Sequence, residues 1–266
     1  MNYWPKVSII IPNYNHESYL QKRMDSIFDQ KYQNFEIIIL DDASVDHSIE
    51  LLKIYAKDPR VSHCILNHKN SGSPFRQWAK GIALARYDII WIAESDDYAD
   101  PDFLSELVHN FEDQSIVLSY CESNLVDENG CIIHRTDFWK RKFFKSRWNK
   151  DYTNPGATEI KEVMRFKNTI PNASAVLFRK SIMDIDFLEK TEMKYTGDWY
   201  FWLKKLGEGN MAFNAKKLNF FRHHSKSTRN KGLYEKEIQL CRERLLSIKY
   251  AAKSYERIIH GQKYDW

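Results

Sequence analysis

Within its first 110 residues the chain repeats one pattern four times: a short apolar run, an abrupt polar stop, then a stretch with helical spacing. Val7–Ile11 is stopped by Pro12-Asn13-Tyr14-Asn15, and Phe35–Leu40 by Asp41-Asp42. Val61–Leu66 leads to Asn70-Ser71-Gly72-Ser73-Pro74, and Asp88–Ala93 empties into Glu94-Ser95-Asp96-Asp97. Apolar runs of this kind, rich in β-branched residues and without alternation, suit strands buried on both faces. Between them Leu20, Met24, Ile27 and Phe28 share one helical face, as do Ile49, Leu52 and Tyr55, then Trp78, Ile82 and Ala85, then Phe103, Leu104, Leu107 and Phe111. Ser18 with Gln21 predicts a capping box, Asp46 or Ser48 a cap for the second helix, and Asp100-Pro101 the start of the fourth. Four such units predict an α/β fold: an open, mostly parallel, twisted sheet covered by helices, with right-handed crossovers.

The second half has a different grain. Ile116–Cys121 predicts a strand, Asp127-Glu128-Asn129-Gly130 a turn, and residues 134–157, basic, aromatic and aperiodic, a long active-site loop. Glu159–Phe166 and Trp199–Leu206 read as helical, Ser174–Phe178 and Met211–Phe221 as extended. From Tyr234 the residues Ile238, Cys241, Leu245, Ile248, Ala252, Tyr255 and Ile259 step alternately by four and three, the stripe of a long amphipathic helix. That stripe suits docking on the parent domain, adhesion to a membrane surface, or a seam between two copies of the chain as a homodimer.

Charge divides along the chain. Residues 1–130 hold 11 Lys and Arg against 21 Asp and Glu, whereas residues 131–266 hold 29 against 15. Metal chemistry in the first half and attraction of anions in the second would fit that division. The tract Lys140-Arg141-Lys142-Phe143-Phe144-Lys145-Ser146-Arg147-Trp148 suits phosphate, nucleic acid, an anionic membrane or simply solvent. No zinc-finger, RNP-like or helix-turn-helix pattern accompanies it, which argues against nucleic acid as a partner. The four cysteines are widely spaced and form no C-x-x-C, so reduced thiols are expected. No window approaches 18 apolar residues and Met1–Lys6 has no signal architecture, which predicts a cytoplasmic protein.

The chemistry concentrates at two acidic groups, Asp41-Asp42 and Glu94/Asp96/Asp97, each at the carboxyl end of an expected strand, the edge where open α/β sheets bind ligands. Crowded carboxylates are costly unless a cation neutralises them, and oxygen ligands without nearby cysteine suit Mg²⁺ or Mn²⁺. No G-x-x-x-x-G-K-[ST] or G-x-G-x-x-G is present, against a P-loop nucleotidase and a dinucleotide dehydrogenase.

The run Val7-Ser8-Ile9-Ile10-Ile11-Pro12-Asn13-Tyr14-Asn15, then Leu40-Asp41-Asp42-Ala43-Ser44-Val45-Asp46, then Glu94-Ser95-Asp96-Asp97 closely resembles family 2 glycosyltransferases of the GT-A fold. The resemblance covers about residues 5–230. It implies an inverting, metal-dependent transferase using a nucleoside-diphosphate sugar, UDP-linked by expectation, and a glycan or lipid-linked glycan acceptor. It divides the chain into a catalytic domain, 1–230, and a helical extension, 231–266. Within the domain, 1–115 would bind the nucleotide sugar and 116–230 the acceptor. Pro12, Tyr14 and Asn15 match the first donor-nucleotide loop, and Asp41 and Asp42 the carboxylates near base and ribose. The metal signature falls on Glu94, Ser95, Asp96 and Asp97, with Asp96 the first metal ligand, Asp97 the second and Glu94 turned to the ribose or a metal-bound water. Glu94 stands where the family's commonest form has aspartate.

In Tyr195-Thr196-Gly197-Asp198-Trp199-Tyr200-Phe201-Trp202 the resemblance makes Asp198 the general base, with Gly197 in place of the family's usual glutamate. Phe221-Arg222-His223-His224 resembles a late loop in which His224 would ligate the metal and Arg222 offset diphosphate charge. Arg76 and Lys80 would contact phosphate or ribose, and Trp139, Trp148, Trp199 and Trp202 would supply a sugar-stacking platform. A location at the inner membrane face follows if the acceptor is lipid-linked. A nucleotidyltransferase or pyrophosphorylase and a non-catalytic nucleotide-sugar-binding module are the competing readings; the first lacks a basic Gly-rich loop at residues 12–20, and the second leaves Asp198 unexplained.

Overall fold

A computed structural model describes residues 5–133, 146–170, 172–224 and 234–260. Strands β1 (Val7–Asn13), β2 (Phe35–Asp41), β3 (Val61–Leu66) and β4 (Ile89–Ile92) alternate with helices α1 (Glu17–Phe28), α2 (Ser48–Tyr55) and α3 (Pro74–Leu84). After the short β5 (Tyr98–Ala99) come α4 (Phe103–Val108), β6 (Ile116–Val126) and β7 (Tyr152–Pro155). Then follow α5 (Gly156–Glu159), continued as a π-helical turn over Ile160–Met164, β8 (Val176–Arg179), α6 (Ile182–Lys190), α7 (Gly197–Leu206), β9 (Asn210–Arg222) and α8 (Tyr234–His260).

All nine strands join one sheet in the order β3-β2-β1-β4-β8-β6-β9-β5, with β7 also on β9. Its first four strands are parallel, as the repeated units require. The remainder is mixed rather than mostly parallel: β8 runs antiparallel to both β4 and β6, β5 and β7 run antiparallel to β9, and only β6 and β9 pair parallel. Apolar runs report burial but not direction. Direction follows from the connections, and past β4 these no longer repeat the single-helix crossover that enforces parallel pairing. Along β9 the ladder to β6 is irregular, because Cys121 faces Asn214 while Glu122 faces Lys217 and Ser123 faces Asn219. Such bulges insert extra residues into one strand and re-aim the side chains beyond them.

Alternation along β1 divides the core. Ile9 and Ile11 pack with Leu20, Met24, Ile27, Phe103 and Leu107 on one face. Ile10 packs with Phe75, Trp78, Ile82, Trp199 and Trp202 on the other. Both clusters draw on residues before and after position 116, so each face of the sheet carries a core that runs across that position. Gly81 lets α3 lie close on β1, since a Cβ there would come within 2.3 Å of the Ile10 side chain. The caps differ from expectation: α1 begins after His16 and α2 after His47, neither with a side-chain cap, and the Ser18/Gln21 box does not form. Instead Asp46 accepts the backbone N–H of Ser48 at 3.1 Å and of Glu17 at 3.0 Å, joining the two helix starts.

In the order of the sheet, β1 is flanked by β2, from which the chain proceeds outward to β3, and by β4, reached on the return. The switch in direction leaves a crevice beyond the carboxyl ends of β1 and β4, where open α/β sheets take ligands. The opposite edge is tied by a buried carboxylate. There the buried Glu36 accepts Ser8 Oγ at 2.7 Å, Arg86 N–H at 2.8 Å and Arg86 Nε at 2.7 Å. Burial opposes its ionisation, but hydrogen bonds from Ser62, Ser8 and Arg86 outweigh it and lower its pKa. A depressed carboxyl stabilises the fold above the ordinary glutamate range and ceases to as the pH falls through its own value. Glu36→Gln should therefore cost about 1–3 kcal/mol at pH 7. In urea titrations the difference should shrink as the pH falls below the ordinary glutamate range.

Candidate active site

The first wall of the crevice is built by β1 and β2. Asn13 donates Nδ2 to Asp41 Oδ2 at 2.8 Å, and Ser44 donates both N–H and Oγ to the same carboxylate, at 2.9 and 2.6 Å. Asn15 accepts Val45 N–H on Oδ1 at 2.8 Å, and its own N–H donates to Ser44 Oγ at 2.9 Å. Asn15 and Ala43 hold positive φ, 55° and 64°, a conformation that costs energy for residues with a Cβ and that clusters at functional sites. Asp42 accepts Asn67 Nδ2, Ser71 N–H and Oγ, and Gln77 Nε2 at 2.7–3.0 Å. Both aspartates thus shape the loops at this edge with their oxygens already engaged. Pro12 is buried in β1, whereas Tyr14 is 45% exposed and turns a ring outward at the rim.

Arg76 and Lys80 stand behind this wall. Arg76 Nη1 donates to Ser71 O at 2.9 Å and Lys80 Nζ to Asn67 Oδ1 at 2.7 Å, so each supports a partner of Asp42. With Ile65, Leu84 and Glu189 they line an open groove beside α3.

The second wall is the turn after β4. His16, Asp96 and His224 place one ligand atom each within 4.8 Å of one another, the only such cluster of three or more among the described residues. His224 Nε2 lies 3.1 Å from Asp96 Oδ2, and His16 Nδ1 lies 2.8 Å from Ser95 Oγ. Burial works against the Asp96 carboxylate, yet the hydrogen bond from His224 and the charges of His16 and His224 prevail and lower its pKa. Two imidazoles and a carboxylate form a donor set that one divalent cation can bridge. His16 takes the place in this group that sequence reasoning gave to Asp97. Asp97 is committed elsewhere, accepting Asn172 Nδ2 on one oxygen and Arg222 N–H at 2.9 Å on the other. Burial and the Asp96 charge push Asp97 up to about 7, and burial with the same charge pushes Glu94 up to about 8. Glu94 accepts the Trp78 indole N–H at 2.8 Å.

Two arginines brace the turn. Arg23, fully buried on α1, donates Nε to Glu94 O at 2.8 Å and lies over the Trp91 ring, while its two terminal nitrogens make no hydrogen bond. Burial lowers its pKa to about 10 against the charges of Asp97, Asp96 and Glu94. Arg222 at the end of β9 donates Nε to Asp96 O at 2.8 Å and Nη1 to Asp127 O and Glu128 O at 3.1 and 2.8 Å. Its guanidinium ties the acidic turn to the Asp127–Gly130 turn.

Asp198 occupies the first turn of α7 and accepts Asn168 Nδ2 at 3.2 Å. The segment from Asn168 to Ser174 connects it with the acids, since Asn172 holds Asp97 and Ser174 Oγ accepts Glu94 N–H at 3.1 Å. Gly197 is required by packing, because a Cβ there would lie 2.5 Å from the Phe75 ring. A glutamate at this position would have to displace that ring.

Trp199 and Trp202 are core residues at 4% and 0% exposure, not a sugar platform, and Trp148 donates its indole N–H to Tyr120 Oη at 3.3 Å. Trp139 and the basic residues 140–145 lie outside the described residues. Arg147 forms an internal ion pair with buried Glu159 and stacks on Tyr152. His16, Arg23 and Asn172 were not legible as site residues. For His16 the available signal was a titratable side chain one residue past the first strand-end loop.

The chain resembles known proteins over much of its length. It is 31% identical over 141 residues to a hyaluronan synthase of Pasteurella multocida, covering 52% of this chain and 14% of that protein. It is 26% identical over 231 residues to an uncharacterized glycosyltransferase of Haemophilus influenzae, covering 84% and 67%. The chain thus spans only a small part of the hyaluronan synthase. Among solved structures, S. aureus TarS 1-349 in complex with UDP-GlcNAc superposes with a TM-score of 0.69 at 18% identity, covering 94% of this chain and 70% of that one. That similarity shows a shared fold. The family model described as "Glycosyl transferase family 2" matches residues 8–183, a span containing both walls of the crevice except Arg222 and His224, and ending before Asp198. By that match the chain belongs to glycosyl transferase family 2.

Proposed function

We propose that this chain transfers a sugar, with inversion, from a UDP-sugar to a hydroxyl of a glycan or lipid-linked glycan, in a metal-dependent reaction. One observation carries the reading: the His16–Asp96–His224 group lies at the switch-point edge, and Asn168 to Ser174 joins its acidic turn to Asp198. UDP as the nucleotide rests on the fold shared with TarS, solved with UDP-GlcNAc, and a polysaccharide acceptor on the hyaluronan synthase relative.

The nucleotide would lie against Pro12, Tyr14 and Asn15, with the exposed Tyr14 ring available to stack on the base. Asp41 and Asp42 hold that loop in shape, and Arg76 and Lys80 act one step behind Asp42 rather than on the phosphates. His16, Asp96 and His224 would hold the cation, with Ser95 orienting His16. Two imidazoles favour Mn²⁺ over Mg²⁺. When bound, the cation offsets the charge that develops on the departing diphosphate. Asp198 removes the proton of the acceptor hydroxyl as its oxygen attacks the anomeric carbon, and UDP leaves from the opposite face. Arg222 keeps the Asp96 carbonyl fixed while this happens.

A panel of UDP-sugars, with hydrolysis as readout, identifies a usable donor before the acceptor is known. Calorimetry of UDP with Mn²⁺ and with EDTA should show metal-dependent binding that Asp96→Asn removes. Asp198→Asn should keep that binding within a few-fold and lower turnover by about 10²-fold or more. Equal UDP affinity in EDTA would overturn the metal assignment, and full turnover by Asp198→Asn the base.

For location we infer peripheral contact with the anionic inner face of the membrane, through α8. Among the described residues no helix is long and apolar enough to cross a membrane. The helix docks on the domain through Glu243, Ser247 and Ala251, each at most 1% exposed. Its apolar stripe points away: Ile238, Leu245 and Ile248 are 38–55% exposed, and Leu246 beside it is 50% exposed. Arg242, Arg244, Lys249 and Lys253 lie near that stripe, and the one carboxylate from 238 to 253 is the buried Glu243. Apolar side chains among cations suit an anionic lipid surface, at about 1 kcal/mol per basic residue. A second copy would bring cations against cations, which disfavours the homodimer. Vesicles containing phosphatidylglycerol should float the protein at low salt and release it at high salt. Leu245→Glu with Ile248→Glu should abolish flotation. No flotation at low salt, with dimers in sedimentation, would favour the second copy instead.

A further inference from the structure

Glu243 lies in the middle of the C-terminal helix and is 1% exposed. Among the described residues its carboxylate meets backbone amides rather than a lysine or arginine. Oε1 accepts the backbone N–H of Lys194 at 2.7 Å, and Oε2 accepts those of Tyr195 and Thr196 at 2.9 and 2.8 Å. Thr196 Oγ1 adds a bond at 3.3 Å, and Gln239, one turn earlier on α8, donates Nε2 to Oε1 at 3.0 Å. Three successive amides turned onto one anion form a nest, and hydrogen bonds to an ionised acceptor are the stronger kind.

The nest immediately precedes α7, whose second residue is Asp198. Thr196, at the N-cap of that helix, makes no side-chain bond to it, because its hydroxyl is turned to Glu243. On the other side Trp199 donates its indole N–H to Met164 O at 2.9 Å. The backbone carrying Asp198 is thereby held upstream by Glu243 and downstream by Trp199. Between them Gly197 sits against the Phe75 ring and has no side chain with which to anchor the turn.

We propose that Glu243 is a positioning residue for the transfer reaction: from the C-terminal helix it grips the amides of residues 194–196 and so aims the Asp198 carboxylate. The proposal rests on the reading of Asp198 as general base. It gives α8 a part in catalysis that neither its stripe nor its place at the end of the chain indicates.

The test uses the full chain carrying Glu243→Gln, which keeps an acceptor oxygen but no charge, and Glu243→Ala. Hydrogen exchange should rise at the amides of 194–196, by about tenfold or more in Glu243→Ala and less in Glu243→Gln, while β1 and β4 stay protected. Hydrolysis of UDP-N-acetylglucosamine, or of whichever UDP-sugar in the panel reacts fastest, should fall about tenfold in kcat with UDP affinity within about twofold. Added to Asp198→Asn, Glu243→Ala should lower the rate no further, because a residue that acts through Asp198 has nothing left to aim. The proposal is overturned if exchange at 194–196 is unchanged, if kcat survives the loss of protection, or if the effects of the two variants multiply. Full turnover by Asp198→Asn would instead overturn the base assignment, and with it the catalytic part of the proposal, while the exchange data would still report the grip.

Discussion

Three carboxyl groups packed into four consecutive residues at a buried strand end create an electrostatic conflict around which this site is built. Glu94, Asp96 and Asp97 cannot all ionise in a poorly hydrated crevice without compensation. The burial-driven rise of Glu94 to about 8 and of Asp97 to about 7 registers that conflict. Asp96 alone keeps a lowered pKa, because His224 hydrogen-bonds it and the charges of His16 and His224 lie close by. Arg23 beneath and Arg222 alongside supply fixed positive charge, each also binding a main-chain carbonyl of the turn. Four cationic or potentially cationic groups from α1, β9 and the loops around them thus converge on one acidic turn. Its geometry is a property of the whole domain, not of a local motif.

The same economy of polar groups runs through the neighbouring loops. Asp41 and Asp42 lie at the end of β2 with nearly every oxygen engaged by Asn13, Ser44, Asn67, Ser71 and Gln77. Buried carboxylates satisfied by amides and hydroxyls rather than by cations rigidify a loop through directional hydrogen bonds. The crevice therefore has one wall built for shape and one built for charge.

Much of this was legible in the residues because period and punctuation are local. The apolar runs of β1, β2 and β4, the helical faces of α1 and α3, and the acids at the strand ends all sit where spacing put them. Strand direction beyond β4 was not legible, since an apolar run such as Val176–Arg179 looks the same in either sense. Nor was α6, or the inverted docking of α8, where a buried glutamate rather than the apolar stripe sets the helix's rotation. His16 and His224 are 208 positions apart and meet only because β1 and β9 deliver them to one edge. Asp97 shows the converse: adjacency in a motif made it a ligand on paper, while Asn172 and the Arg222 amide claimed it in space.

The irregular ladder between β6 and β9 has a consequence for how this site could drift over time. Between Asn214 and Asn219 the longer strand accumulates surplus residues relative to its neighbour before regular pairing resumes through Arg222. That slack sets the phase at which the strand arrives at the crevice. Deleting a single residue from it would slide the terminal segment by about 3.3 Å and turn its side chains to the opposite face. Arg222 would then leave the acidic turn, and His224 would be carried off with it. Indels in this stretch should be as damaging as substitutions at the histidine itself, and the buried Asn219, which donates Nδ2 to Asn172 Oδ1 at 2.9 Å, makes the stretch sensitive to point changes as well.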